Sequence, residues 1–519
     1  MELAALLLLL PFLLAGLFYL GRHRGDGGVD ERRLPPAPRG LPVIGNLHQV
    51  GALPHRALRA LAAAHGAPDL LRLRLGRVPA LVASSPAAAA ELMRAQDHTF
   101  ATRPYFRTAE ILSYGFRDLA LAPHGEHWRH VRRLCAAHVL SAARSHRQNA
   151  MKELEVAALV KAVAAEASSA AGVVDVSGAL YRLANDVICR VVSGRVSGSG
   201  EEEGRSKLFR EVVQENTALL GGFCVGDYFP ALAWVDKLLS GGGARAWRNL
   251  RRWDELLEKV VQEHEVRRRG RRRGDDDDAG GEEGFVDVLL SLQAEGQDGF
   301  ELSRDIVKSL LQDMFAAGIE TTYVALEWAM SELIKNPTAM RKLQDEVRKI
   351  EPSGGFAKAD RLGATITPYL KAVVKETLRL HPPAPLLLPR ECMQDATVLG
   401  NHVAKGTRVF VNAWAIHRDP DSWHAADKFL PERFLQSEVD FRGRHFQYIP
   451  FGAGRRICPG MQFALSTIEL ALANLVRTFD WELPDGMAPE ELDMSDAPGL
   501  VTPRRVGLRL VARPFEWEQ

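Results

Sequence analysis

Apolar residues recur along most of the chain with helical spacing. Alanine and leucine dominate these stretches and runs of β-branched residues are short, so the pattern predicts a mainly α fold with small β-sheets. One helix is expected from Ser303 to about Asn336, where Pro337 stops it. Two further helices are expected over residues 369–380 and 461–479.

Shorter patterns predict strands and loops around these helices. Leucine and arginine alternate from Leu70 and an apolar run ends at Val82, which predicts two strands that turn near Gly76. Residues 102–124 have mixed composition and are expected to form a long loop. The basic block 267–273 and the acidic block after it, 275–278, are expected to be a solvated, disordered link between surface helices.

The first part of the chain has a different pattern. Leu3 to Leu20 is an unbroken apolar run of eighteen residues, which is long enough as a helix for most of a bilayer. A cleaved signal peptide is the alternative, but the run follows Glu2 and no basic residue. Arginines follow the run, so residues 1–21 are expected to be an anchor with the body of the protein in the cytosol. Residues 22–46, basic and then proline-rich, are expected to be a stiff hinge, and residues 47–519 a single domain.

Composition excludes some functions. The chain has 519 residues and a formal net charge of +1, so it has no overall field that would attract nucleic acid. Its five cysteines are scattered without the spacing of a zinc site or a redox pair, which predicts reduced thiols.

Cys458 is the strongest candidate for chemistry. It lies in the glycine-rich sequence Phe451-Gly-Ala-Gly-Arg-Arg-Ile-Cys-Pro-Gly460, directly before the apolar helical run. Glycines allow the backbone to approach closely, and the first amides of the helix can point at a sulfur anion. Arg455 and Arg456 are expected to favour the thiolate. A bare thiolate in such a loop suits axial ligation of a haem iron, whereas a lone cysteine without this context is usually structural.

The pattern Phe-x-x-Gly-x-Arg-x-Cys-x-Gly resembles the signature of the haem-thiolate monooxygenases, the cytochrome P-450 superfamily. The resemblance implies the cytochrome P-450 fold, with haem b between a long oxygen-binding helix and the helix after the cysteine, in addition to the transmembrane helix. It implies that Cys458 is the axial ligand of the haem iron. The residues expected to contact the haem from the loop are Phe451, Gly452, Gly454, Arg456 and Gly460.

The middle of the long helix reads Ala316-Ala-Gly-Ile-Glu-Thr-Thr322, which is locally unfavourable for a helix. Small residues such as Ala317 and Gly318 would let a flat cofactor approach the backbone, although close packing of two helices is the alternative. Thr321 can bond to a carbonyl four residues earlier or to bound oxygen. By resemblance, Thr321 and Glu320 are the catalytic residues, with Glu320 relaying protons from solvent.

Other motifs gain meaning from the resemblance. Trp128 and Arg132 lie four residues apart on one helix face, and the family uses such a pair to bind a haem propionate. Arg390 and Arg456 resemble further propionate ligands, and His417 is a weaker candidate.

A last motif is expected to be structural. Glu376 and Arg379 lie three residues apart on one helix, and the family joins such a pair to an arginine in the position of Arg433. A buried triad of these residues would fix the chain that leads to the cysteine loop.

The motifs look most like plant-type microsomal enzymes of the seventy-one clan. That implies a monooxygenase in the endoplasmic reticulum membrane, with its catalytic domain in the cytosol, that acts on a small apolar specialised metabolite such as a terpenoid, phenolic or indole. Dioxygen and electrons from an NADPH-dependent flavoprotein reductase, with a cytochrome b-type donor as a second source, would drive the reaction. A haem-thiolate isomerase or dehydratase and a non-catalytic haem-binding protein are the alternatives. Arg442, Arg444 and Arg455 are expected to contact the reductase.

Overall fold

A computed structural model describes residues 33–517 except 170–171, 195–199, 237–241, 274–282, 297–299, 351–356 and 363–366. The expected anchor, the first part of the hinge and the acidic block 275–278 lie outside the described residues. Among the helices of the described part, none is long and apolar enough to cross a membrane.

The fold is mostly helical with small sheets, as the sequence predicts. The longer α-helices are Pro54–Ala64, Glu126–Leu134, Asn149–Ala167, Val176–Ser193, Gly200–Leu220, Gly242–Arg273, Phe285–Glu295, Arg304–Lys335, Pro337–Val347, Pro368–Leu380 and Met461–Thr478. The short α-helices are Leu47–Val50, Pro86–Ala90, Arg107–Leu112, Ala142–Arg147, Val225–Tyr228 and Ala413–Ile416. The 3₁₀ turns are Pro230–Val235, Ala359–Arg361, Pro431–Phe434, Gly454–Arg456, Pro484–Gly486 and Pro489–Glu491, and the π-helical turns are Glu91–Ala95 and Cys135–Val139.

Within the described residues, nine strands form three small sheets. The strands are β1 (Leu70–Leu75), β2 (Val78–Ala83), β3 (Val173–Asp175), β4 (Arg390–Glu391), β5 (Ala396–Val398), β6 (Asn401–Val403), β7 (Arg408–Val411), β8 (Phe479–Glu482) and β9 (Arg509–Pro514). The first sheet has the order β1-β2-β7-β4, in which β2 and β7 are parallel and the other neighbours antiparallel. The second has the order β3-β9-β8, and β5 pairs with β6. The turn between β1 and β2 contains Gly76, whose φ of 64° suits a residue without a side chain.

The helix Arg304–Lys335, called here the central helix, runs through the core. Its 32 residues correspond to a length of about 48 Å. Ser303 Oγ accepts a hydrogen bond from the amide of Ile306, which satisfies one of the free donors at the start of the helix. Side chains around most of its circumference are buried, because it packs against Val176–Ser193 on one side and Met461–Thr478 on another.

Two of the loop predictions are wrong. The expected long loop 102–124 contains the helix Arg107–Leu112, in which Thr108, Ala109, Ile111 and Leu112 are buried. The basic block 267–273 is not part of a disordered link, because it is the end of the helix Gly242–Arg273. In both cases packing or continuity with a long helix outweighs local composition.

Candidate functional site

The loop before Cys458 is held by backbone contacts that require glycine. Gly454 has a φ of 68°, and a β-carbon there would lie 2.2 Å from the carbonyl oxygen of Met93. Gly452 also has a positive φ, 69°. The Cys458 amide donates to the Phe451 carbonyl at 3.0 Å, which closes the loop, and the helix Met461–Thr478, called here the cysteine helix, begins at once. The loop therefore presents one sulfur at the start of a buried helix.

Two opposing effects act on the Cys458 thiol. Burial raises its pKa, whereas a hydrogen bond from the Gly460 amide and the charge of Arg132 lower it. The sequence had suggested Arg455 and Arg456 for this role. The structure instead pairs Arg455 with Asp97, Nε to Oδ2 at 2.8 Å, and turns Arg456 toward backbone carbonyls. Arg132 is thus the cation that acts on the sulfur.

The central helix presents Ala317 and Thr321 toward an accessible space. Ala317 is exposed and Thr321 is half-buried, although both lie in the middle of a core helix. The Thr321 hydroxyl donates to the Ala317 carbonyl at 2.6 Å, which is the local bond that threonine makes at mid-helix.

Gly318 lies against a neighbouring helix. A β-carbon at Gly318 would lie 2.5 Å from Cδ1 of Ile188, on the helix Val176–Ser193. Close packing of two helices is therefore one reason for this glycine, and the expected contact with the cofactor stays a prediction. Ala317, one position earlier, lies on the accessible side.

Glu320 lies on the buried side of the central helix. It is 8% exposed, and its Oε1 accepts a hydrogen bond from the Tyr181 hydroxyl at 3.3 Å. Burial raises the pKa of Glu320, and the bond from Tyr181 opposes that rise. The two candidate catalytic residues are thus neighbours in sequence with different partners, Ala317 for Thr321 and Tyr181 for Glu320.

Three guanidinium groups lie close together beside the cysteine loop, those of the buried Arg390 and Arg456 and of the half-buried Arg103. Desolvation together with their mutual repulsion lowers the pKa of Arg103 well below its ordinary value and that of Arg456 to about 9. Most of their donors bind backbone carbonyls. Arg390 donates to the carbonyls of Phe100 and Ala453, and Arg456 donates to those of Ala101 and Ala122. Arg103 donates to the carbonyls of Ala120, Leu388 and Pro389. Arg456 Nη1 is buried and has no partner in the described part of the chain.

Such a cluster requires negative charge. The nearest carboxylate oxygen to Arg390 is Asp97 Oδ1 at 3.6 Å, and Asp97 also pairs with Arg455. Buried cations without enough counter-charge are costly, so the cluster suits a ligand that brings two carboxylates. Arg103 was not identified from the sequence, because an Arg-Pro dipeptide in a loop carries no distinguishing spacing.

The expected pair Trp128 and Arg132 lies on one face of the helix Glu126–Leu134. The Trp128 indole N–H donates to the Leu119 carbonyl at 3.2 Å, so it already has a protein acceptor, contrary to the expectation of a free donor for a propionate. The Arg456 guanidinium stacks over the indole ring, 4.1 Å from its centroid. Arg132 is half-buried and lies close enough to Cys458 to affect its pKa.

The suggestion that His417 contacts a propionate is wrong. The ring is fully buried, Nδ1 lies 3.2 Å from the Arg379 carbonyl oxygen, and Nε2 accepts from the Ile449 amide at 2.9 Å. Both ring nitrogens are therefore used by the backbone. Burial and the charges of Arg379 and Arg418 lower the pKa of His417 to about 3, so the ring is neutral.

Glu376, Arg379 and Arg433 come together away from the cysteine. Arg379 donates two hydrogen bonds to the Glu376 carboxylate, and Arg433 Nε donates to Oε1 of the same group at 3.0 Å. The Leu430 amide donates to that oxygen as well, at 2.8 Å. The carboxylate thereby joins the helix Pro368–Leu380 to the chain that leads toward the cysteine loop.

These features define a class of protein. A single sulfur stands in a tight loop, small accessible residues stand on a core helix packed against the cysteine helix, and guanidiniums that outnumber the neighbouring carboxylates lie beside the loop. This combination suits a prosthetic group that brings carboxylates and binds through sulfur.

The chain belongs to the cytochrome P450 family, whose model, "Cytochrome P450", matches residues 35–508. It is 44% identical over 469 residues to "Cytochrome P450 71A1" of Persea americana, covering 90% of this chain and 91% of that protein. It is 42% identical to "indole-2-monooxygenase" of Zea mays, covering 98% of this chain and 95% of the relative. A solved zebra fish cytochrome P450 with progesterone has a TM-score of 0.73 at 26% identity, covering 89% of this chain and 99% of that one. The resemblance stated from the sequence is confirmed, and the protein is a cytochrome P450 monooxygenase.

Proposed function

We propose that the protein binds haem b through Cys458 and oxidises a small apolar specialised metabolite with dioxygen and electrons derived from NADPH. The family implies a haem-thiolate iron. The observation that favours oxygen insertion is the Thr321 hydroxyl, which stands on the accessible side of the central helix one turn after Ala317. A hydroxyl there would be able to hold a proton and pass it on at the haem site.

The residues that would hold the haem follow from the site. Cys458 would ligate the iron, and Arg103, Arg132, Arg390 and Arg456 would neutralise the two propionates, with the unpartnered Arg456 Nη1 as one free donor. Phe451, Gly452, Gly454 and Gly460 would shape the loop around the sulfur, and Trp128 would support Arg456 by stacking. When bound, such a haem supplies the reductive cleavage of dioxygen, with one oxygen atom inserted into substrate and the other released as water.

Glu320 would supply protons to Thr321. Its raised pKa means that this carboxyl group holds a proton more readily than an exposed glutamate does, and Tyr181 holds it on the buried side of the helix. A rotation of the Glu320 side chain away from Tyr181 would bring its proton to the Thr321 side.

The electron donor would be a flavoprotein reductase, with a cytochrome b-type protein as a second source. Arg442 and Arg444, 64% and 72% exposed, offer positive charge to an acidic partner, while the Arg455 side chain is 34% exposed and paired with Asp97. Charge reversal of Arg442 and Arg444 should weaken the salt dependence of electron transfer. Reversal of Arg513, also exposed and paired with Glu482, serves as the control. An unchanged salt dependence in the double reversal contradicts the docking proposal.

The cellular placement follows from the sequence alone. Residues 1–21 would anchor the chain in the endoplasmic reticulum membrane, residues 22–46 would form the hinge, and the domain 47–519 would face the cytosol. Carbonate extraction of membranes should release a chain that lacks residues 1–21 and leave the full chain in the pellet. Release of the full chain would show that the segment does not span the bilayer.

The decisive experiment is a reduced, carbon-monoxide difference spectrum of the wild type beside Cys458→Ser. A strongly red-shifted Soret band in the wild type that is lost in the variant supports thiolate ligation. Turnover that requires both NADPH and reductase then favours oxygen insertion over an isomerase, a dehydratase or a non-catalytic haem protein. A band typical of histidine ligation in the wild type would overturn the assignment of Cys458.

A further inference from the structure

The segment Arg117–Ala122, called here the tethered segment, has no helix or strand, and side chains from several elements bind its backbone. Donors to its carbonyls are Ser309 Oγ to Arg117 (3.0 Å), Trp128 Nε1 to Leu119 (3.2 Å), Arg103 Nε to Ala120 (3.1 Å) and Arg456 Nη2 to Ala122 (2.6 Å). Its amides donate to Asp313 Oδ2 from Leu119 (2.7 Å) and Ala120 (3.3 Å), and to Asp118 Oδ2 from Leu121 (2.8 Å). The segment is thus fixed to the central helix and to the cysteine loop at once.

Two of the groups that bind the tethered segment are carboxyl groups, and both accept hydrogen bonds from amides of the same turn. Asp118 is 2% exposed, and its Oδ1 is buried without a hydrogen-bond partner in the described part of the chain. Asp313 comes from the central helix, eight residues before Thr321, a distance of about 12 Å along the axis. Its Oδ2 accepts from the two amides that directly follow Asp118.

The charges around the two acids are unequal. Asp118 faces Arg456 and Arg103, which favour its ionised form. The charged or titratable groups that interact with Asp313 are Asp118 and Cys135, and Arg132 lies beside Cys135. Burial raises the pKa of Asp118 to about 6, against the opposing effects of backbone hydrogen bonds and of Arg456. Burial together with the charge of Asp118 raises the pKa of Asp313 well above its ordinary value.

We propose that Asp118 and Asp313 hold one proton between them at neutral pH and act together as positioning residues that fix the tethered segment over the haem site. Asp118, beside the arginines, is the ionised member, and Asp313 keeps the proton. A neutral Asp313 still accepts the two amide hydrogen bonds, and the single negative charge offsets Arg456 and Arg103. A second negative charge in the same turn would repel the first and loosen the segment.

The direction of the pH effect follows from proton binding. Both groups bind protons more tightly in the ordered segment than in the unfolded chain, so order is favoured at low pH and is lost as the pH rises through the folded pKa values. Because the segment contacts the Arg456 side of the loop and the central helix, its loosening would change the walls of the substrate site.

Hydrogen exchange of the Leu119 and Ala120 amides between pH 5.5 and 9 tests the pair on the haem-loaded protein. After correction for intrinsic exchange, protection in the wild type should fall with pH, by about tenfold for each pH unit between 5.5 and the folded pKa of the carboxyl that titrates. Asp118→Asn and Asp313→Asn should keep their protection to higher pH, because each leaves one acid and one neutral oxygen acceptor. Asp313→Ala should lose protection at every pH.

Asp186→Asn is the matched control, since it neutralises a half-buried acid whose pKa is also raised but which binds Ser206 and Asn185. It should leave the pH dependence of protection in the tethered segment unchanged. Protection that does not change with pH in the wild type would falsify the shared proton, and so would Asp118→Asn and Asp313→Asn variants whose protection follows the wild-type pH dependence. The inference deepens the proposed function but is read from amide exchange, so its failure would leave the carbon-monoxide spectrum, and with it the assignment of Cys458, unaffected.

Discussion

Both oxygens of the Glu376 carboxylate receive hydrogen bonds from the Arg379 guanidinium, at 2.8 and 2.9 Å, and neither side chain is exposed to solvent. The remaining Arg379 donors bind the carbonyls of His417, Ala426 and Lys428. This one guanidinium therefore orders the chain between β7 and the cysteine loop, and its position depends on one carboxylate.

Replacing Glu376 with Ala should destabilise the protein by about 3–5 kcal/mol, because two buried cations would lose their shared partner. The cysteine loop would lose its support, so the purified variant should contain little haem. Urea denaturation and haem content per chain are the measurements. Glu211→Ala, which breaks the exposed pair with Arg252, should cost less than about 1 kcal/mol. Normal haem content in Glu376→Ala would rule out this supporting role.

Thr321→Val should uncouple electron use from product formation, because it removes the hydroxyl on the accessible side of the central helix. Product formation should fall by about 100-fold, the usual size of a lost proton-transfer group, while NADPH oxidation continues with release of hydrogen peroxide. The comparison is Thr322→Val. The Thr322 hydroxyl is buried and has no partner in the described residues, so its removal should leave coupling unchanged. If Thr321→Val and Thr322→Val form the same amount of product per NADPH oxidised, the assignment of Thr321 is contradicted.

Lys152 gives the stability a pH dependence of its own. It is fully buried, its ammonium is held by the Ser145 and Ser466 hydroxyls and the Phe463 ring, and burial lowers its pKa from 10.5 to about 7. The unfolded chain therefore binds this proton more tightly, so the Lys152 contribution to the free energy of unfolding should rise as pH increases from about 7 to 10.5.

Lys152→Met should remove that rise and stabilise the protein most at pH 7 and below. Denaturation curves at a series of pH values measure the difference between variant and wild type. Lys161→Met, on the same helix but exposed, is the control and should follow the wild-type slope. If the free energy of unfolding of Lys152→Met changes with pH between about 7 and 10.5 in the same way as that of the wild type, Lys152 does not titrate in this range.

Gly454→Ala should prevent the loop from closing. A β-carbon there meets both the Met93 carbonyl, at 2.2 Å, and Asp97 Oδ1, at 2.7 Å, so the pairing of Asp97 with Arg455 would also be lost. We expect a loss of stability of about 3 kcal/mol, from backbone strain and overpacking together. Gly400→Ala has the same strain, with a φ of 80°, but open space, and should cost about 1 kcal/mol. Equal thermal stability in the two variants would contradict this explanation.

The sequence predicted features that depend on local chemistry. Ser303 caps the central helix and Pro337 begins the next one, because both preferences act within a few residues. The strand pair around Gly76 follows the alternation of its residues. The cysteine loop was recognisable because its glycines, its cysteine and its arginine occur at fixed spacing.

Features that depend on distant partners could not be read from the sequence. Arg103 donates to the Leu388 carbonyl, 285 residues further along the chain, and nothing near Arg103 in the sequence indicates this contact. The packing of Ile188 against Gly318 likewise joins two helices that are distant in sequence. His417 was a candidate for a propionate contact, yet its ring binds two backbone groups in the core.

The two π-helical turns, Glu91–Ala95 and Cys135–Val139, have a consequence for insertions and deletions. A π-helical turn spaces its hydrogen bonds five residues apart, so it contains one residue more than the α-helical turn it replaces. The turn Cys135–Val139 directly follows the helix that carries Trp128 and Arg132. Deleting one residue there could be absorbed by conversion to an α-helical turn, whereas deletion of a residue between Trp128 and Arg132 would rotate one of these side chains by about 100° relative to the other. Homologous chains should therefore differ by a single residue at 135–139 and keep their length at 126–134.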